Sequence, residues 1–471
     1  MRMQDVVNLG TGYLILGISI VLFLAVIVCI GYFGIYIKLL KGDKKLSLFN
    51  LCWWAVFICY MIVVLGATMF SRGNTWGGGV ISFVYSYKDA WINASASAWR
   101  NIILNILLFV PFGFLLPIGK ERFRVFWKAY LAGLSLTVAI ELIQLILSRG
   151  IFEVADLFNN VLGTMIGFGC YAIVRQIVNV CKKGKIKVVS TLLLQLPLLF
   201  AIGLFITIYV VYEKQELGNL SCEYIVTYDK NKLNIVTDEK YSDRETTVMV
   251  YQVPIRSIDE TRLMADELFT LMGTKIDESR TDHYDETAFY WADDKYNMVI
   301  EYLGGTYRIT DFDTTFSWDR VNQIYDASEE TIREALDTYG ISIPEQADYS
   351  ITNEMGYQFE LNQFKMEDKI YDGILNCTYY DNGKLGSINN NILECEPYKN
   401  FDVISEIEAY ERIKEGKFRY SRNQELEIQL GKVSLNYMID SKGFYQPVYV
   451  FEANINGFDS EIKIPALDRE F

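Results

Sequence analysis

The sequence has one histidine, His283, in 471 residues. One imidazole excludes a metal centre built on paired histidines, and its polar surroundings, TDHYDE, fit a solvated position. Eight cysteines include no CxxC pair, so no zinc or dithiol redox motif is present. From Glu213 onward a Gly-rich phosphate loop is missing, and no nucleophile is paired with a base. Acidic residues outnumber basic ones, 58 to 44, for a net charge of −14; nucleic acid, which needs basic patches, is excluded as a partner. From Glu213 to Phe471 no apolar run approaches the length of a membrane span. No cofactor and no metal are expected.

What is present is strongly segregated. The chain is 51% hydrophobic, yet 22% of its residues are charged. Apolar runs alternate with short basic loops up to about Tyr212, and six of them reach the length that crosses a bilayer. They lie near 12–37, 48–70, 101–119, 126–147, 153–175 and 188–212. The first is too long for a signal peptide and lacks a small-residue cleavage site, so it is expected to be retained. The expected architecture is an all-α polytopic membrane domain of about six transmembrane helices over residues 1–212. An α+β extracytoplasmic domain would follow over 213–471.

Loop charge sets an expected orientation. Lys38, Lys41, Lys44 and Lys45 follow span one, Lys120, Arg122, Arg124 and Lys128 follow span three, and Arg175, Lys182, Lys183, Lys185 and Lys187 follow span five. The other side has Arg2, Arg72, Lys88, Arg100 and Arg149. An excess of Lys and Arg marks the cytoplasmic side. The N-terminus and the acidic C-terminal half would then both be extracytoplasmic, in a multi-pass protein of the cell membrane.

Between and within these apolar runs lies ELIQLILSRGIFEVADLFNNVLG, residues 141–163. Glu141, Gln144 and Ser148 share one face of span four. At 1.5 Å per residue Glu141 lies roughly 10 Å inside the outer end. Span five returns with Glu153, Asp156, Asn160, Gly163 and Gly167 on a single seam, polar above and GxxxG below, a spacing that lets helices pack closely. Asn101 and Asn105 share a face at the outer start of span three, and Pro111 with Gly113 is expected to interrupt that helix. Ionisable groups in a membrane normally pair or line a wet cavity. Asn101, Asn105, Glu141, Gln144, Arg149, Glu153, Asp156 and Asn160 are therefore the expected ligand-binding set, with Arg100 or Arg72 as further cations nearby. Against it stands an ion-pair and amide network that locks spans three to five together.

NIILNILLFVPFGFLLP (101–117), ELIQ (141–144) and RGIFEVADLFNNVLGTMIG (149–167) together resemble the VanZ-like membrane family, over roughly residues 10–180. The matching positions are Asn105, Pro111, Gly113, Glu141, Gln144, Arg149, Glu153, Asp156, Asn160, Gly163 and Gly167. The resemblance implies a bacterial membrane fold and a cell-envelope location. The family's founding member is associated with lowered susceptibility to the glycopeptide teicoplanin, and many relatives have no resistance role. The sixth span and the large outer domain depart from minimal members.

In the second half, runs such as TTVMVYQVPI, YNMVIEYLGGTYRI and QPVYVFEANI are rich in strand formers. Three helices are expected. Ser257 with Glu260 and Ser405 with Glu408 open two of them as capping boxes that stop at Gly273 and Gly416. Ser328 opens the third, which stops at Gly340. Two helix units among antiparallel strands suggest similar subdomains near 220–340 and 341–471. SEIEAYERIKEGKF followed by DSKGFYQPVYVFEANING and IPAL resembles YycI-like outer domains, a likeness that implies binding of an envelope protein partner without catalysis. Cys377 and Cys395 would form a disulfide or remain two thiols.

Three functions fit these features. In the first, the intramembrane pocket holds the headgroup of a membrane lipid or lipid-linked wall precursor. In the second, Glu141, Glu153 and Asp156 act as catalytic candidates on such a substrate. Crowded carboxylates share a proton, and Arg149 would clamp an anion. The third is a structural anchor for the outer domain.

Overall fold

The computed structural model describes residues 3–38, 41, 47–70, 80–148, 152–182, 188–284, 286–316, 321–352, 356–420 and 424–467. The chain divides into two compact units, Met1–Glu216 and Leu217–Phe471. The first unit contains helices α1 (Met3–Cys29), α2 (Leu48–Leu65), α3 (Phe83–Ile92), α4 (Ala96–Gly119), α5 (Phe126–Ile146), α6 (Val154–Cys181), α7 (Val188–Leu193) and α8 (Leu196–Lys214). Among the described residues six helical stretches are long and apolar enough to cross a membrane. Only α3 and α7 fall outside them.

The expected sixth span is two helices, α7 and α8. Pro197 sits in the first turn of α8, where its missing N–H costs nothing, whereas a helix continued from α7 would need that N–H for the Leu193 carbonyl. The chain therefore turns at Leu194 and Gln195. The expected interruption at Pro111 and Gly113 does not occur: α4 runs unbroken from Ala96 to Gly119 with Pro111 and Pro117 inside it. Membrane helices tolerate proline where neighbouring helices pack against them, and α2 does so here. From α2, the Tyr60 hydroxyl donates to the Leu108 carbonyl at 2.9 Å and Trp53 Nε1 to that of Leu115 at 2.9 Å.

Glycines set the spacing of α4 and α6. A Cβ on Gly163 would stand 2.0 Å from the Ile106 carbonyl oxygen, one on Gly167 1.9 Å from that of Val110, and one on Gly113 2.0 Å from that of Thr164. No side chain fits there, so the two backbones touch. Such contact is how helices associate where lipid removes the hydrophobic drive between them.

The second unit is β-rich, with a 15-stranded sheet. Leu233–Thr237 pairs parallel with Leu426–Ile439; the remaining pairings are antiparallel. Helices Ile258–Leu271 and Glu406–Lys414 start at full capping boxes on Ser257/Glu260 and Ser405/Glu408. Gly273 and Gly416 follow them at φ +75°, the left-handed conformation that ends a helix. Ser328 caps Glu329–Asp337.

The hydrophobic cores do not divide near residue 340. One gathers residues from Met264 to Ile392; the other joins Leu217 and Val248–Val250 to Phe401–Leu467. The strand Thr246–Gln252 pairs with Leu393–Val403 and Phe444–Ile455, which draws the start of the unit to its end. Asp440 fastens the same closure. Its carboxylate accepts from the backbone N–H of Gly218 at 2.6 Å, Lys442 at 2.7 Å and Phe444 at 2.9 Å, and from the Gln446 amide. Cys377 and Cys395 are free, buried thiols in different cores.

Two outcomes are expected. Gly167→Val in the full-length protein should lower the melting temperature in detergent, since overpacking costs about 1–3 kcal/mol; wild-type melting would contradict the backbone contact. Burial pushes the thiols of Cys222, Cys377 and Cys395 up to about 12. At pH 8 maleimide should leave these three unmodified in the folded protein and label them after denaturation without reductant. A linked Cys377–Cys395 peptide would contradict the structure.

Candidate functional site

The start of α6 is where the polar residues meet. Val80–Ile81 pairs in parallel with Phe152–Glu153 just before it, and α3 leads from that bridge towards α4. Across this junction Asn105 Nδ2 donates to Asp156 Oδ1 at 2.5 Å, the Ser86 hydroxyl to Glu153 Oε2 at 3.0 Å, and the Tyr87 hydroxyl to Asn159 Oδ1. Between them lies a cavity of about 230 Å³. Its polar lining is Ser86, Asp89, Asn101, Asn105, Glu153, Asp156 and Asn159, with Tyr85, Ala98 and Ile102 completing the wall.

The structure places only part of the expected set here. Asn101, Asn105, Glu153 and Asp156 line the cavity; Glu141, Gln144 and Asn160 do not. Those three are buried and join helices instead. Glu141 Oε2 accepts from the backbone N–H of Glu153 at 3.3 Å. Gln144 Nε2 donates to the Thr68 carbonyl at 2.7 Å. Asn160 Nδ2 donates to the Thr137 hydroxyl at 2.8 Å, and Thr164 donates back to the Asn160 carbonyl at 3.0 Å. The expected single seam of α6 thus splits: Asp156, Gly163 and Gly167 face α4, whereas Asn160 faces α5. Arg149 and Arg72 lie outside the described residues.

Sequence reasoning missed α3. Its ten residues are too short to span a membrane, yet Ser86 and Asp89 stand three apart on one face and both line the cavity. That spacing, in a segment rich in aromatics, was the available signal. Asn159, fully buried, was visible only as a residue that weakens the hydropathy of span five. The site therefore does hold a hydroxyl nucleophile type, Ser86, bonded to a carboxylate.

The chemistry of the cavity is that of an acceptor. Asp89, Glu153 and Asp156 supply carboxylates, and no lysine or arginine is among its described lining residues. No group of three His, Cys, Asp or Glu suited to a metal ion occurs among the described residues. Such a lining suits hydroxyls and ammonium groups, which donate to carboxylates and amide oxygens.

A cavity of this kind among six apolar helices defines a multi-pass membrane protein with a polar site inside its helical unit. The chain belongs to the VanZ/LLP1 family. The family model matches residues 57–175, which include every residue lining the cavity. Protein VanZ of Enterococcus faecium is 30% identical over 123 residues, covering 25% of this chain and 75% of that protein. Among solved structures, an uncharacterized protein from Eubacterium rectale shares 12% identity at a TM-score of 0.27, covering 51% of this chain and 90% of that one. The Bacillus megaterium YpeB C-terminal domain shares 11% at 0.20, covering 46% of this chain and 100% of that domain. Neither score assigns a fold.

Separating the two roles gives a test. Thr137→Val removes the acceptor of Asn160 and should lower stability by roughly 0.6–2 kcal/mol, the range for hydrogen bonds between membrane helices. Asn101→Ala, at the open cavity wall, should leave the melting temperature unchanged. Equal losses in both would mean that the cavity residues are structural as well.

Proposed function

We propose that the cavity holds the headgroup of an envelope lipid or lipid-linked wall precursor, with the ligand's tail left in the bilayer. The observation that carries this reading is the cavity itself: seven polar side chains around about 230 Å³ at the head of α6. That volume is below the several hundred Å³ of a typical small-molecule pocket, which suits a headgroup rather than a whole lipid. The carboxylate-rich lining favours a sugar or an amine-bearing group. In this reading Asn101, Asn105, Glu153 and Asp156 contact the ligand, while Glu141, Gln144 and Asn160 hold the helices that present them. Arg149 follows directly on span four in the sequence and supplies the cation for any anionic part.

The loop charges support an orientation with the N-terminus and the β-rich unit both extracytoplasmic, so that the cavity faces the outer leaflet. The β-rich unit would then engage an envelope protein partner. A link to teicoplanin susceptibility is proposed through the E. faecium relative alone. A second reading, catalysis on the same lipid-linked substrate, draws support from the Ser86–Glu153 pair at 3.0 Å. A carboxylate beside a hydroxyl can act as its general base.

Native mass spectrometry of the full-length protein from nanodiscs made with bacterial lipids should show a retained lipid that is lost in Asn101→Leu. Wild-type protein free of lipid at every gentle activation energy would overturn the binding reading. Arg149→Lys should weaken retention with little change in melting temperature, because an ammonium loses the two-pronged contact of guanidinium. Turnover of polyprenyl-linked substrates that disappears in Ser86→Ala would favour the enzyme. Alkaline phosphatase fused after Phe471 should be active, and an inactive fusion would reverse the orientation.

A further inference from the structure

The far end of α6 carries a second cavity, of about 780 Å³. Arg175 is 19 residues beyond Asp156 in the sequence, roughly 28 Å along the helix at 1.5 Å per residue. The first turn of α5, the last turns of α6 and the break between α7 and α8 form its walls. Its apolar and aromatic lining is Tyr130, Phe168, Tyr171, Leu193, Leu194 and Pro197. Arg124, Arg175, Gln176 and Asn179 add donors, and no acid is among the described lining residues.

This wall is held in place. Gln195 Nε2 donates to the Gly169 carbonyl at 3.1 Å and to that of Thr191 at 3.0 Å, tying the α7–α8 turn to α6. A Cβ on Gly169 would stand 2.6 Å from the Leu194 carbonyl oxygen, so this glycine allows the approach. Tyr130 meets Phe168 edge to face at 5.8 Å.

The cations at this end are not equivalent. Lys120 lies over the rings of Trp53 and Trp54, Arg122 over Phe123 and Lys128 over Trp127. Arg124 bonds Glu121 at 2.6 Å, a glutamate whose side chain is 83% exposed. Arg175 has no ion pair among the described residues and lines the cavity. Gln176 Nε2 is buried there without a hydrogen-bond partner among the described residues. Two guanidinium groups and an amide donor in one cavity with aromatic rings suit a phosphate joined to an apolar body. On α7 the side chains of Val189, Leu192 and Leu193 are exposed, which places bilayer-compatible surface beside the opening.

We infer that this basic cavity is a binding site for an anionic glycerophospholipid, its phosphate on Arg175 and Arg124 and its acyl chains against the aromatic wall. The site is separate from the cavity at the head of α6 and does not depend on which side of the membrane each faces. Basic pockets between membrane helices recognise anionic headgroups in this way.

The test uses delipidated full-length protein and three probes: phosphatidylglycerol, phosphatidylcholine, and inorganic phosphate at the same concentration. Phosphatidylglycerol should raise the melting temperature and remain bound in native mass spectra, and the other two should do neither. Arg175→Glu should reduce phosphatidylglycerol retention at least about 5-fold, the factor set by the attraction of one basic residue to an anionic surface. Arg175→Lys should keep most of it. Phosphatidylglycerol retention that is lost in Asn101→Leu and kept in Arg175→Glu would assign the lipid to the outer cavity and overturn this site. The lipid site is overturned if Arg175→Glu, melting as wild type, retains phosphatidylglycerol fully. Equal retention of phosphatidylcholine would show boundary lipid only, and stabilisation by inorganic phosphate would show a soluble-anion site.

Discussion

At Gly163 and Gly167 the backbone of α6 meets carbonyl oxygens of α4 with no room for a methyl group. The polar cavity depends on this contact. Asn105 lies one residue before Ile106 on α4, and Asp156 lies two turns before Gly163 on α6. With the backbones touching below, these short side chains meet at 2.5 Å. Were the helices at the 8–10 Å spacing of larger side chains, neither residue would reach. Gly113 repeats the arrangement from the α4 side, against Thr164.

Close packing also decides which polar groups become structural. Thr137 and Thr164 are fully buried, and Glu141, Gln144 and Asn160 nearly so. Each donor placed in an apolar interior needs an acceptor, and each hydrogen bond then fixes the rotation of one helix against another. Two rungs of this ladder start on α5: Gln144 reaches the Thr68 carbonyl just after α2, and Thr137 accepts from Asn160 of α6, which ties the three into one frame. Above it, at the bridge between Val80–Ile81 and Phe152–Glu153, the polar groups of α3, α4 and α6 bond one another and also line open space. The open cavity thus rests on the buried ladder.

Six spans were legible in the sequence because transfer energy acts on composition and length, and both are local. The caps of the β-rich unit were legible for the same reason: Ser257 with Glu260, and Ser405 with Glu408, meet within one turn. What depended on neighbours was not. Pro111 reads as a break, but α4 continues through it, packed against α2, whose Tyr60 and Trp53 bond carbonyls of the same stretch. A seam of five residues on α6 reads as one face, but α4 and α5 divide it between them. The role of α3 came from the parallel bridge that places it, and neither partner strand is longer than two residues. In the β-rich unit, local helix signals suggested a duplication. Long-range pairing of Thr246–Gln252 with Leu393–Val403 instead divides the cores differently.

One helix carries both cavities, and its electrostatics bear on the first. The aligned peptide dipoles of α6 leave partial positive charge at Val154 and partial negative charge near Cys181. Asp156 lies in the first turn, where a carboxylate is favoured. Arg175 lies six residues before Cys181, short of the last turn to which the dipole's effect is confined. The backbone therefore offsets part of the cost of a carboxylate at the head of a helix otherwise apolar enough to cross a membrane. Acceptor chemistry belongs at that head, whereas the guanidinium at the far end depends on the cavity around it.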